Sequence, residues 1–277
     1  MTELIKRNDL FVIYCSLILS FILIIMPISV IFFKPLGSGS SLVTVSGSGQ
    51  DDLFGQNVSY AGDVNGDGYD DIIVGAPGND SERGRAYIFF GGPWFTGAFS
   101  ADDANVTING SAQGDRFGWD VSGAGNMNND AFDDVIVGAP GNNSDTGAVY
   151  IFFGSNPLPP SLDANNADVV IAGGNAGDGF GSSVSGAGNV NNDDYDDVII
   201  GSPGNNSDTG VAHVFCGANF MSGFMDVGDA NVTMFGENIG DRFGFSVSGA
   251  KDVNDDDYDD VIVGAPGVDM THIYFGG

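Results

Sequence analysis

FGQNVSYAGDVNGDGYDDIIVGAP, residues 54 to 77, decides how the whole chain is read. It opens on Phe54-Gly55 and closes on Gly75-Ala76-Pro77. Between them DVNGDGYDD, residues 63 to 71, sets Asp63, Asn65, Asp67 and Asp71 at alternate positions. Alternating oxygen donors are how a short loop wraps a hard cation such as calcium. A helix-flanked calcium loop also needs a Glu at its twelfth position. Counted from Asp63, that position is Val74, inside the β-branched run Ile72-Ile73-Val74 that Gly75 and Pro77 stop at once. Such a run suits a buried strand. The loop is therefore expected to join strands.

Working outward, the stretch is one of four. Phe54-Gly55 recurs as Phe117-Gly118, Phe180-Gly181 and Phe243-Gly244, each 63 residues on. Gly75-Ala76-Pro77 returns as Gly138-Ala139-Pro140, Gly201-Ser202-Pro203 and Gly264-Ala265-Pro266. The acidic loop follows suit as NMNNDAFDD, NVNNDDYDD and DVNDDDYDD. Repeats of about 48–110, 111–173, 174–236 and 237–277 result. Each reads as four strands: one carrying Phe-Gly, then DDVIVGAP, then AVYIFFG, then NVTING after a variable connection. Four short strands per repeat without helices predict an all-β propeller, one blade per repeat. The last unit ends at IYFGG without a fourth strand, and Val43 to Gly47 near the start is a fourth strand without its unit. Pairing the two is expected to close a ring and remove two sheet edges.

Composition agrees. Gly numbers 44, and the acids are nearly all Asp, Glu3, Glu82 and Glu237 being the exceptions. Gly, Asn and Asp favour turns and disfavour helices. With 42% apolar residues the chain still has enough to bury a core. Acids outnumber bases 37 to 8, a net charge of −29, which excludes nucleic acid as a partner because nothing could neutralise its phosphates.

Leu10 to Phe33 holds no charged residue in 24 positions. As a helix it would span about 36 Å, enough for a hydrocarbon core of about 30 Å. Lys6 and Arg7 precede it, so residues 1–9 are expected in the cytoplasm and everything after the linker 34–41 outside. A cleaved signal peptide, which would leave the protein secreted, usually has a shorter apolar stretch. Cys15 falls in this segment and Cys216 in a predicted strand, so no disulfide is expected.

These units are identified as FG-GAP repeats, and residues 42–277 resemble the N-terminal β-propeller of integrin alpha subunits. The resemblance implies calcium on the lower face, in the loop between the first and second strands, and protein ligands at the upper-face loops. It implies a cell-surface adhesion or interaction module with an extracellular protein or glycan ligand. Integrin propellers have seven blades where this chain has four; a fragment of a longer gene, or two chains completing an eight-bladed ring by self-association, would account for that.

Five ligand positions are expected per loop, the seventh giving a backbone carbonyl. The first loop offers Asp63, Asn65, Asp67, the carbonyl of Tyr69, and Asp71; the second Asn126, Asn128, Asp130, the carbonyl of Phe132, and Asp134. The third offers Asn189, Asn191, Asp193, the carbonyl of Tyr195, and Asp197; the fourth Asp252, Asn254, Asp256, the carbonyl of Tyr258, and Asp260. Gly68 is expected at the sharp turn in position six, where Ala131, Asp194 and Asp257 replace it. Three carboxylates in the first and fourth loops against two in the others predict up to four calcium ions, tightest at the first and fourth. Their role is expected to be structural, since a cation neutralises crowded acids.

No catalytic residue is expected. His213 and His272 align with Tyr87 and Tyr150 at a packing position of the third strand, allowing for a four-residue deletion in the last unit. Asn-x-Ser/Thr sequons begin at Asn57, Asn79, Asn105, Asn109, Asn142, Asn205 and Asn231, which an exported glycoprotein would carry. The turns GNDSERGR, GNNSDTG and GNNSDTG, on the expected ligand face, are bland apart from Arg83 and Arg85. Two other readings stay open: a structural envelope component without a discrete ligand, and a hydrolase or lyase on a propeller scaffold.

Overall fold

The computed structural model describes residues 43–219 and 221–277, which belong to one compact unit, Val43–Gly277. The expected anchor at 10–33 and Cys15 lie outside the described residues. Among the described residues no helix is long and apolar enough to cross a membrane.

The chain is all-β, and each repeat forms its own antiparallel sheet. In the first, β2 (Val58–Gly62), β3 (Asp71–Ala76), β4 (Arg85–Phe89) and β6 (Val106–Asn109) lie side by side in that order. The second uses β7 (Val121–Gly125), β8 (Asp134–Ala139), β9 (Ala148–Phe152) and β11 (Val169–Ala172). The third uses β12 (Ser183–Gly188), β13 (Asp197–Ser202), β14 (Val211–Phe215) and β16 (Val232–Phe235). The fourth has three strands, β17 (Ser246–Lys251), β18 (Asp260–Ala265) and β19 (Met270–Tyr274). Inner strands β2, β7, β12 and β17 pack in succession, the arrangement of consecutive propeller blades.

The core lies between sheets. One apolar cluster joins Ile73, Ile88 and Ile108 of the first sheet to Phe117, Val121 and Val137 of the second. A second joins Ile136, Ile151 and Ile171 to Phe180, Val184 and Val198, and a third joins Ile199 and Val214 to Phe243, Val247 and Val261. Phe117, Phe180 and Phe243 are thus the side chains that glue one blade to the one before.

Three features correct the sequence reading. Phe-Gly precedes the first strand instead of lying in it, and Phe117, Phe180 and Phe243 make single parallel bridges to Gly84, Gly147 and Gly210 of the preceding repeat. The variable connection contains a further short strand in three repeats: β5 (Ala98–Ser100), β10 (Ser161–Asp163) and β15 (Gly223–Asp226). β10 pairs in parallel with β6, and β15 with β11, so each repeat reaches back to the edge of its predecessor. By the same rule β1 (Thr44–Ser46) pairs in parallel with β5. It does not pair with β19, and among the described residues the ring expected from the sequence is not closed.

The turn after Gly-Ala/Ser-Pro is also unusual. Asp80, Ser81 and Glu82 all have positive φ, as do Asn143, Ser144, Asp145 and Asn206, Ser207, Asp208. Three left-handed residues in a row are rare for L-amino acids, and Asn and Asp bear it best. In the fourth repeat Pro266–Val268 makes a short right-handed turn instead.

Candidate metal loops

Each acidic loop leaves the first strand through a bulge, at Gly62, Gly125, Gly188 and Lys251. All four residues are left-handed, which glycine does freely and Lys251 at a cost. The bulge bends the strand and aims the loop.

The ninth position is the loop's anchor. Asp71, Asp134, Asp197 and Asp260 are wholly buried. One oxygen of Asp71 accepts from Val64 N–H (3.1 Å), the other from Gly91 N–H at the end of β4 (2.8 Å). Asp134 repeats this with Met127 and Gly154, Asp197 with Val190 and Gly217, Asp260 with Val253 and Gly276. These carboxylates stitch loop to sheet, and each oxygen keeps a lone pair for a cation. Burial pushes Asp71 and Asp197 up to about 6 and Asp134 to about 7. The N–H bonds oppose that rise, and other acids of the same loop, Asp63 and Asp67 beside Asp71, add to it.

The leading residue sorts the loops into two kinds. Asp63 uses both oxygens: Oδ1 accepts from Asp67 N–H (3.0 Å) and Oδ2 from Gly68 N–H (2.8 Å). Asp252 does the same with Asp256 (3.1 Å) and Asp257 (3.0 Å). Asn126 has one acceptor and one donor. Its Oδ1 takes Asp130 N–H (3.0 Å), and its Nδ2 donates to the Asp130 carbonyl (2.8 Å). Asn189 treats Asp193 likewise. The backbone follows the side chain. Position four is left-handed in every loop, at Gly66, Asn129, Asn192 and Asp255. Position six is left-handed only at Gly68 and Asp257, where its N–H turns to the leading carboxylate. Ala131 and Asp194 are not left-handed, so the sharp turn expected there exists only in the first and fourth loops.

Position three behaves alike in loops one to three: Asn65, Asn128 and Asn191 accept from the position-five N–H. The position-five carboxylates Asp67, Asp130, Asp193 and Asp256 accept from the N–H of Tyr69, Phe132, Tyr195 and Tyr258. The donor set is all oxygen, with no basic side chain in any loop to offset it, which is the chemistry a hard cation meets. The carboxylates are turned towards backbone N–H groups, and among the described residues no three acidic, His or Cys groups converge as a metal cluster.

A contact that sequence reasoning missed links the loops. The Asp before each anchor reaches into the preceding repeat: Asp133 accepts from Asp63 N–H (2.8 Å), Asp196 from Asn126 N–H (2.8 Å), Asp259 from Asn189 N–H (2.9 Å). Its signal was the doubled Asp that ends every loop.

The histidines lie at the aromatic packing position. His213 meets Phe180 at 6.0 Å between ring centres and His272 meets Phe243 at 5.4 Å, as Tyr87 meets Phe54 and Tyr150 meets Phe117. Of the sequons, Asn105 and Asn231 are exposed, whereas Asn79 is buried and Asn205 donates to Asp178 (3.0 Å). Arg83 pairs with Asp80 (3.2 Å).

The FG-GAP repeat model matches residues 54–89, 117–152, 180–215 and 243–277, just over half of the chain. Integrin alpha-5 of Xenopus laevis is 32% identical over 178 residues, 59% of this chain and 16% of that protein. Integrin alpha-IIb of Mus musculus is 32% identical over 160 residues, 54% of this chain and 15% of that protein. Phosphatidylinositol-glycan-specific phospholipase D of Dictyostelium discoideum is 27% identical over 254 residues, 82% of this chain and 26% of that protein. The chain thus spans about a quarter or less of these relatives' lengths. Four matches in register with four sheets of one design leave one assignment: the chain is an integrin alpha-like member of the FG-GAP repeat family.

Proposed function

We propose that the chain is an extracellular, calcium-stabilised β-propeller module that binds a protein or glycan partner, held at the cell surface by residues 10–33. The observation that carries the calcium part is the pair of loops led by Asp63 and Asp252. Each folds its backbone around a carboxylate that makes no ion pair among the described residues. In this reading the five oxygen positions of each loop hold the ion. Its charge relieves the repulsion that helps raise Asp71. Asp63 and Asp252 make the first and fourth loops the tighter sites.

Adhesion is the reading favoured by the integrin alpha relatives, and it concerns the module, since the chain matches only a small part of each. The phospholipase relative keeps a hydrolase reading in view. Against it stand His213 and His272, both spent on packing against the Phe-Gly phenylalanines.

The test is a thermal melt of the full chain in calcium and in excess chelator. Calcium at a hundred times its Kd should stabilise by about 2.7 kcal/mol for each site that fills. An unchanged melting temperature sinks the structural role of calcium.

A further inference from the structure

Hydrogen bonding divides the seven sequons into two groups. The repeat puts Asn105, Asp168 and Asn231 at one place, immediately before the fourth strand. Their own N–H groups donate to the carbonyls of Ile88, Ile151 and Val214. Their side-chain oxygens accept from Phe90 N–H (2.9 Å), Phe153 N–H (2.8 Å) and Cys216 N–H (2.9 Å), just past the end of the third strand. Asp168 does this with no side-chain donor, so the position needs only an acceptor. The Nδ2 groups of Asn105 and Asn231 have no part in it, and neither makes a hydrogen bond among the described residues. We propose that Asn105 and Asn231 carry N-linked glycans and that the other five sequons do not, which rests on the proposed export of residues 43–277.

Exposure belongs to the position in the repeat. β10 pairs with Thr107–Asn109 of β6 and β15 with Val169–Ala172 of β11, yet Asn105 and Asp168 stay exposed. Asn231 is exposed in the third repeat likewise. In the transfer, Nδ2 attacks the anomeric carbon of a saccharide activated as a lipid phosphate ester, a donor held in the exporting membrane. The C–N bond forms and the anomeric C–O bond to phosphate breaks. The lipid phosphate leaves with the electron pair, and one Nδ2 proton passes to the medium. Oδ1 is untouched and still accepts from Phe90 or Cys216 N–H after modification.

The other five amides are engaged in the fold or closed in. Asn205 Nδ2 donates to Asp178 (3.0 Å), Asn109 Nδ2 to the Leu162 carbonyl of the next repeat (3.1 Å), and Asn142 Nδ2 to the Tyr150 hydroxyl (3.4 Å). Asn57 hydrogen-bonds the Asp120 carboxylate of the next repeat. Asn79 is only 8% exposed. A bulky saccharide on any of these breaks a contact or forces open a packed turn.

The division is also one of sides. Asn79, Asn142 and Asn205 lie in the Gly-Ala/Ser-Pro turns, the Asn57 carbonyl accepts from Gly75 N–H, and Asn109 lies opposite Arg85 at the start of β4. Asn105 and Asn231 lie at the other end of the blades. Phe90 and Cys216 directly precede Gly91 and Gly217, whose N–H groups hold the loop anchors Asp71 and Asp197. Glycans therefore flank the metal loops and leave the turn side bare.

Asp168 supplies the test. The full chain, expressed in cells that N-glycosylate their exported proteins, is read by intact mass, by peptide mapping and by protease added outside the cell. It should be open to the protease and carry two glycans, at Asn105 and Asn231. Asn105→Asp and Asn231→Asp copy the second repeat and keep the acceptor, so each should remove one glycan with the circular dichroism unchanged. Asp168→Asn/Val170→Thr copies the first and third repeats, where Thr107 and Thr233 stand, and should add a third glycan. A chain open to the protease and bare at both asparagines overturns the proposal and leaves the export reading standing. So does a glycan on any of the other five in a chain with the unmodified circular dichroism. A chain shielded from the protease inside the cell overturns the export reading and this inference with it.

Discussion

His213 sits beside Phe180 and Phe215, with the Thr233 hydroxyl at its Nδ1. Burial lowers its pKa to about 4, against a smaller opposing pull from Asp178. An unfolded histidine titrates near 6.5, so between those values only the unfolded chain takes the extra proton. The stability that goes with a neutral His213 is complete above about pH 6.5 and drains away as pH falls towards 4. By pH 5 the loss amounts to about 2 kcal/mol. Tyr occupies the same place in the first two repeats, so His213→Tyr should fold and lack this component. Urea midpoints of both chains at pH 7 and pH 5 check it. Parallel falls would mean the histidine is not the acid-sensitive group.

At the scale of the element, the difference between a carboxylate and an amide sets the course of a nine-residue loop. Asp63→Asn should convert the first loop to the second kind. Its Gly68 N–H would lose its acceptor and the loop one ligand charge. Calcium affinity at that loop should drop about tenfold, or ~1.4 kcal/mol, measured by calorimetric titration of the full chain. The reverse change, Asn126→Asp, should strengthen the second loop. An Asp63→Asn titration that overlays the unmodified one would separate loop shape from binding.

The repeat, its strands and the loops were legible because each rests on local pattern: β-branched runs, Gly-Pro punctuation and alternating Asx. The two kinds of loop were legible in composition, as Asp63 and Asp252 against Asn126 and Asn189. Their conformations were not, because where Ala131 and Asp194 lie in φ depends on which hydrogen bonds the leading side chain can make. β5, β10 and β15 escaped notice for another reason. Strands of three or four residues carry little pattern of their own, and each owes its existence to an edge that a different repeat presents. The left-handed triplets at Asp80, Asn143 and Asn206 were read as ordinary turns, since Asn, Asp and Ser favour both.

Residues 43–277 are a succession of like sheets in which each touches chiefly its neighbours, so their stability is a sum of blade and junction contributions. The net charge of −29 works against compactness, and cations bound along the loop side would relieve it. Raised ionic strength should therefore narrow the gap between melting temperatures in calcium and in chelator, without closing it, because site binding outlasts screening.

The clips formed by Asp133, Asp196 and Asp259 give this succession of blades a mechanical character. Each fastens the foot of one blade to the next, and each junction also carries one Phe-Gly side chain and one parallel bridge. Pulled from residue 277, the array should come apart blade by blade, starting with the three-stranded sheet. Each rupture should release 63 residues or fewer, roughly 200 Å of chain. A force–extension trace should be a sawtooth of nearly even teeth, the first one weakest, and a single rupture would mean that the blades share load far beyond their neighbours.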